Sequence, residues 1–408
     1  YRPVRVVSYD KESGELVLHN YMDFDDLKDY VKISYELTQD GLVISKGILS
    51  EFSVASHGEG KTNLKIHVPE NGKCYLKLIY HLKKELPLLD EDHILGFDEI
   101  EVSKEDTKCK LAEKWIPKTV VDSELQVNEN DTQIHIKGRE FAYTIDKRTA
   151  LFTEMKFAGR EYLNHPMELN IWRAPTDNDM YIKSEWKKAH YDKAYTRAYT
   201  TEVVQGKHGV KITIHASVVA ETVQKILDVT ITWKIEAAGK IDADIAVTKD
   251  DEFPDLPRFG VRMFLDKKLS AVRYFGMGPQ ESYCDKHQAA SHGLYRADVG
   301  DLHEDYIRPQ ENGSHYDCEY VELNNSRYGI VASAEKAFSF NASYYTQEEL
   351  EKKTHNYELI ESDSVVFCVD YALNGIGSNS CGPVVLEQYR FDDVLFRFQF
   401  TLIPYVKG

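Results

Sequence analysis

The chain of 408 residues has no apolar run near the 18 or so residues that a helical membrane crossing needs, so no such crossing is expected. It is also short of positive charge. Lys and Arg total 50 against 67 Asp and Glu, a net charge of -17, which argues against nucleic acid or an anionic membrane surface as partner. The six cysteines (Cys74, Cys109, Cys284, Cys318, Cys368 and Cys381) are scattered, without CxxC pairs. That spacing excludes a dense disulfide frame or a zinc motif and fits free thiols in a reducing, cytoplasmic setting. The first residue is Tyr1 rather than Met, as expected of a segment of a longer chain whose targeting signal, if any, lies upstream. What is present is a hydrophobic share of 42% with 12% aromatics, enough for real cores. The length suggests two or three domains, of which one large β domain could take most of the chain.

The first hundred residues read as short strands. Segments 4–9 (VRVVSY) and 14–20 (GELVLHN) flank a turn-rich stretch, and 31–37 (VKISYEL) alternates Val31, Ile33, Tyr35 and Leu37 with polar partners. Segment 73–82 places Cys74, Leu76, Leu78, Tyr80 and Leu82 on one face, and 95–102 closes the series. About seven strands at 8- to 12-residue spacing predict an immunoglobulin-like sandwich, here without the Cys-Trp-Cys signature of antibody domains. The predicted organisation is all-β: a sandwich over residues 1–105, a charged linker over 106–118, and a second, larger sandwich over 119–408.

Strands resume beyond the linker. The longest pair, within 225–249, predicts a hairpin turning at Gly239. One helix stands out, with Ile182, Trp186 and Ala189 at i, i+4 and i+7 and lysines between them. Just before it, residues 170–179 read NIWRAPTDND. Two explanations apply. Pro175 stops a strand and Asp177 or Asp179 caps the helix. Alternatively, Arg173, Asp177 and Asn178 form a preorganised polar cluster that binds a polyhydroxylated ligand or another domain.

The densest run of chemically capable side chains is 274–323, with Glu281, Asp285, His287, His292, His303, Glu304, Glu311 and His315 among glycines and prolines. Their spacings match no zinc motif. Glu311 and His315 could act as the carboxylate and imidazole of an aldose epimerase, or could serve turn chemistry alone. The glycine-rich stretch 373–383 (LNGIGSNSCGP) lacks the strand-loop-helix setting of a phosphate cradle.

Taken together, RAPTDND (173–179), GMGPQESYCDKHQAA (276–290), YIRPQENGSHYDCEYVEL (306–323) and GIGSNSCGP with QYR (375–390) resemble the C-terminal part of large bacterial β-galactosidases of glycoside hydrolase family 2. The four segments occur in the family's order. Residues 1–103 resemble, more weakly, the immunoglobulin-like domain that precedes this part.

The resemblance implies that residues from about 120 onward form a galactose-mutarotase-like β-supersandwich, the small chain of split enzymes. It also implies a parent that hydrolyses terminal β-D-galactosides with retention, through two glutamates on a (β/α)8 barrel. A barrel takes about 250 residues of alternating strand and helix, and no such alternation occurs here. No catalytic residue and no metal ligand is therefore expected in this segment. A divalent metal or Na+ could belong to the parent barrel. The implied partners are that barrel, the N-terminal domains and a galactoside shared with them, in a parent expected to be a homo-oligomer. Loops of this part lean over the barrel mouth in the family, which makes Arg173, Asp177, Asn178, Glu311, His315 and Cys381 the residues expected to face the active site. Cys381 stands where enterobacterial members carry a tryptophan near the sugar entrance. An autonomous carbohydrate-binding or epimerase-like protein is the alternative reading.

Overall fold

The computed structural model describes residues 2–104, 107–115 and 125–407. The chain divides into two compact units, Tyr1–Lys110 with His292–Leu294, and Leu111–Ser291 with Tyr295–Gly408. Of the linker expected at 106–118, residues 106 and 116–118 lie outside the described residues. The described part ends in a single turn at Glu113–Trp115. The Trp115 ring stacks on Tyr405 at 3.8 Å, and its indole N–H donates to the Tyr320 hydroxyl, so this end of the stretch is held on the second unit.

The first unit has two antiparallel sheets, as the strand spacing predicts. One joins Val4–Tyr9, Glu15–Asn20 and Glu59–Asn63. The other runs Leu42–Ile48, Val31–Gln39, Cys74–Leu82, Ile94–Glu101. Its core contains Leu16, Leu18, Ile33, Leu37, Cys74, Leu76, Leu78 and Tyr80, and so includes most of the face read from 73–82. The strand Glu59–Asn63 (EGKTN) has no apolar residue to announce it. It forms through its ladder to Glu15–His19.

The second unit sets a five-stranded sheet, spanning Gln126 to Glu161, against a 12-stranded sheet. The main path of the large sheet runs through Leu163–Asn170, Arg258–Asp266, Ser364–Leu373, Tyr328–Ser343, Leu395–Val406 and Ile241–Lys249. It continues through Leu227–Glu236 and Gly209–Val219 to Tyr195–Gly206. The expected hairpin is present, with Ile235 opposite Ile241 and Gly239 at the turn in a left-handed conformation (φ +88°). A Cβ there would press on Phe141, Phe157 and Tyr143, so the turn needs glycine twice over. The two sheets meet through Trp233. Its ring meets Phe152 edge-on at 4.9 Å and its indole N–H donates to the Ala150 carbonyl at 2.8 Å. The predicted all-β supersandwich is the architecture of the described residues of the second unit.

The helix Ile182–Lys188 lies where its periodicity places it, with Trp186 buried. Its start corrects one expectation, because neither Asp177 nor Asp179 caps it. Tyr181 precedes the helix with no side-chain cap, and the aspartates belong to a separate turn, Asp177–Asp179. A second helix, Gln347–Lys352, capped by Thr346, is short enough to escape a periodicity reading.

Two strands under the site are covered on both faces. Arg258–Asp266 is buried at eight of its nine positions, and Ser364–Leu373 at eight of ten. Each carries a charge inside an apolar run, Arg258 and Asp370.

Trp233 sets the expected stability behaviour. Trp233→Ala should cost about 3–5 kcal/mol, the range for emptying a buried aromatic site. Trp233→Phe, which keeps most packing but orphans the Ala150 carbonyl, should cost about 1–3 kcal/mol. Chemical unfolding of the second unit checks both. Equal losses would show that packing against Phe152 is not what joins the sheets.

Candidate functional site

The four sequence segments, spread over more than 200 residues, come together as one loop cluster. The first leaves the strand Leu163–Asn170. Arg173 is wholly buried, and its guanidinium grips Asp179 with two bonds (Nη2–Oδ1 2.7 Å, Nε–Oδ2 3.2 Å). Its remaining donors go to the carbonyls of Asn374 and Gly375 in the glycine-rich loop. The ring of Trp186 lies 5.3 Å from the guanidinium carbon. Asp179 also accepts from the Thr176 amide at 2.9 Å and from its hydroxyl, which closes the turn that presents Asp177 and Asn178. Bidentate guanidinium–carboxylate pairing of this kind fixes orientation as well as distance.

Asn178 bridges the same two loops. Its amide N–H donates to the Gly377 carbonyl at 2.7 Å, and its carbonyl accepts from the Ser380 hydroxyl at 2.8 Å. From the other side, Asp285 accepts from the amides of Ile376 and Gly377 at 2.9 and 2.7 Å. Glu281 ties its loop to the third segment by accepting from the Gly313 amide at 3.0 Å, and it also takes Lys286 and the Tyr306 hydroxyl. Burial alone would raise the Glu281 carboxyl. Those donors outweigh it and hold the group below its ordinary value. The third segment returns to the first through the Glu311 amide on the Ala174 carbonyl (3.0 Å) and the Asp177 amide on Gln310 (3.0 Å).

Beneath the loops, Arg258 donates to Asp370 at 2.8 Å and to Glu311 at 3.4 Å, all three buried. Burial works against the charge on Arg258, but the two carboxylates more than offset it and raise its pKa. Burial pushes both acids up, against the pull of Arg258, with Asp370 reaching about 6. Glu311 Oε1, Asp370 Oδ1 and Arg258 Nε have no hydrogen-bond partner among the described residues. Gly260 sits opposite Asp370 in the ladder, and a Cβ at that position would come within 2.3 Å of Asp370 Oδ1.

The residues singled out from sequence therefore fall into three places. Arg173, Asn178 and Glu311 are members of the cluster, with Arg173 and Glu311 inside it. Asp177 and Cys381 are exposed on the loops. His315 lies in an aromatic box, its ring 4.4 Å from Tyr274 and 5.1 Å from Phe340, with Nδ1 facing the Met277 carbonyl and Nε2 unpartnered. Neither Glu311 nor His315 reaches the surface. Sequence reasoning missed Arg258 and Asp370. The available signal was a charge set among apolar strand residues, Asp370 alone in its strand and Arg258 at the start of one, which a buried position tolerates only with a partner.

The comparisons agree with the geometry. Residues 137–402 match the family described as Beta galactosidase small chain, and residues 16–103 match Beta-galactosidase, domain 4. The chain belongs to the β-galactosidase small-chain family. A Beta-galactosidase of Actinobacillus pleuropneumoniae is 42% identical over 405 residues, covering 98% of this chain and 39% of the relative. One of Staphylococcus xylosus is 30% identical, covering 98% and 40%. The chain thus spans about two fifths of the length of these relatives. Among solved structures, a galactose 1-epimerase from Lactobacillus acidophilus NCFM aligns with 71% of this chain and all of its own at 8% identity and a TM-score of 0.38.

The box around His315 has a consequence for pH. Burial drives the imidazole down to about 4, against the Met277 carbonyl and Glu281, whereas an unfolded histidine titrates near 6.5. Between those values the unfolded chain binds the extra proton. The stability involved is present above about pH 6.5 and is lost as pH falls towards 4, up to about 3 kcal/mol. Asp370, raised to about 6, has the opposite sign: its contribution is present below about pH 4 and is lost as pH rises through 6. His315→Phe keeps the ring contacts and removes the titration, so its stability should fall less steeply than the parent's from pH 6.5 to 4. Parallel pH profiles would show that His315 is not held neutral.

Proposed function

We propose that this chain is the small-chain portion of a β-galactosidase acting on terminal β-D-galactosides, and that it shapes the mouth of the active site without supplying the catalytic carboxyls. One observation carries this reading. The four segments that resemble the family, far apart in sequence, are hydrogen-bonded into a single loop cluster by Arg173, Asn178, Glu281 and Asp285. Such mutual bracing suits loops that must hold a fixed shape against a neighbouring surface.

A retaining glycosidase needs two carboxyls about 5 Å apart, one as nucleophile and one as acid/base. Within the cluster, Asp179, Glu281, Glu311 and Asp370 are paired with Arg173, Lys286 and Arg258 below the surface. We assign the chemistry to the part of the relatives that this chain does not span, as two glutamates on a (β/α)8 barrel, with any divalent metal or Na+ held there too. In this reading the barrel and the N-terminal domains are the partners, in a cytoplasmic homo-oligomer. Burial of Glu311 and His315 weighs against the epimerase reading, which needs both at an open site.

Two outcomes follow. The isolated chain should not hydrolyse a chromogenic β-galactoside, and activity should appear only with the barrel-bearing remainder of the parent. Turnover that copurifies with the folded chain, after controls for host enzyme, would overturn the assignment. Cys381, exposed on the glycine-rich loop, offers no ring to a sugar's apolar face. In the complete enzyme, Cys381→Trp should shift KM or acceptor preference by about 1 to 2 kcal/mol, the order of an aromatic contact, with the carboxylates untouched. Steady-state kinetics on two galactosides of different aglycone reads this out. Identical constants would place the loop away from the sugar.

A further inference from the structure

The large sheet does not close completely. Tyr328–Ser343 pairs with Leu395–Val406 only through Ser333, and with Ser364–Leu373 only from Ser339 onward. On its other side, the ladder to Ser314–Asn324 jumps from Phe338 opposite Cys318 to Ser333 opposite Tyr320. Residues 334–337 thus fall outside all three ladders, and the strands part around them. A groove of about 480 Å³ opens there, lined by residues of all four strands and by the segment 388–393. That volume lies within the range of about 300 to 1,000 Å³ typical of small-molecule sites.

The lining identifies the kind of molecule. Tyr316, Tyr371 and Tyr389 line the groove half-buried; Tyr371 stacks on Phe396 at 4.9 Å and also meets Phe391 and Phe398, and Tyr316 stacks on His287. The charged lining residues balance, with Lys336, Arg390 and Arg397 against Asp317, Glu335 and Asp393. A groove with no excess of either sign does not select an ion. Arg397 is already paired with Asp244, but aromatic faces beside the planar, hydrogen-bonding groups of Arg390, Asp393, Gln388 and Gln399 match a pyranose ring, which is apolar on its C–H face and ringed by hydroxyls.

We propose that this groove, which borders the loop cluster through Tyr283, Cys284 and the segment 388–390, binds a neutral pyranoside. That it is a sugar rests on the groove alone. That it is a galactoside rests on the function proposed above.

The test is saturation-transfer NMR and affinity titration on the whole chain, with lactose and cellobiose as probes. Two variants are compared with the parent. Tyr371→Leu keeps an apolar body in the wall, and Gln399→Ala alters a surface position on an edge of the groove, so at least one should fold normally. Lactose should bind, and each folded variant should weaken binding by about tenfold, the scale of one lost stacking or polar contact. Equal binding of cellobiose, also lost in the variants, would uphold the groove as a sugar site and reject its preference for galactosides. No binding of either sugar, or binding unchanged in folded variants, would overturn the proposal. Because no barrel is needed, a chain that binds lactose here yet fails to give hydrolysis when joined by the barrel-bearing remainder would count against the proposed function and not against this site.

Discussion

Arg258 lies inside the large sheet with no exposed surface, and the second unit is arranged around the need to neutralise it. A buried guanidinium is costly unless its charge is paired. Asp370 supplies one partner from the adjacent strand and Glu311 supplies the other from a loop. Breaking such a pair leaves an uncompensated charge, a loss of about 3–5 kcal/mol, whereas intact pairs add little net stability. The value of the arrangement is therefore positional. It fixes the register in which Gly260 faces Asp370, and it fixes where the loop carrying Glu311 leaves the sheet. Arg173 repeats the device one layer higher. Its partner Asp179 is local, but its other donors reach backbone carbonyls some 200 residues away. Backbone carbonyls do not change with side-chain substitution, so the glycine-rich loop can vary at Cys381 without losing its seat.

Much of the fold could be read from residue order because its signals are local. Alternation along 31–37, the apolar face of 73–82, the hairpin at Gly239 and the helical spacing of Ile182, Trp186 and Ala189 each involve neighbours within one element. The exceptions had no local signal. Glu59–Asn63 is wholly polar and becomes a strand only through its partner, and Gln347–Lys352 is too short for its period to show. The site was legible in part. Of the three residues read as one polar cluster, Arg173 and Asn178 both bond to the glycine-rich loop while Asp177 is exposed, and Glu311, read as a partner of His315, is instead paired with Arg258. The capping role given to Asp177 or Asp179 did not hold, since Asp179 is held by Arg173 and by the Thr176 turn, one turn ahead of the helix. Arg258 and Asp370 could not be placed from order alone, because their pairing depends on sheet register across 112 residues.

The position of Leu395–Val406 has a consequence for how the chain is made. It lies in the interior of the large sheet, between Tyr328–Ser343 and Ile241–Lys249, although it comes after every other strand of that sheet in sequence order. Until it arrives, the sheet exists as two separate ribbons, each ending in an unpaired edge flanked by apolar side chains. Those edges are ready templates for pairing with another nascent chain. Closure must wait for contacts as distant in sequence as Tyr162 on the Tyr405 carbonyl, 243 residues apart, the kind of separation that slows folding. Synthesis therefore includes an interval in which nearly the whole unit has been translated and the two halves of its large sheet are not yet joined. During that interval, exposed strand edges are the main hazard to the yield of native protein.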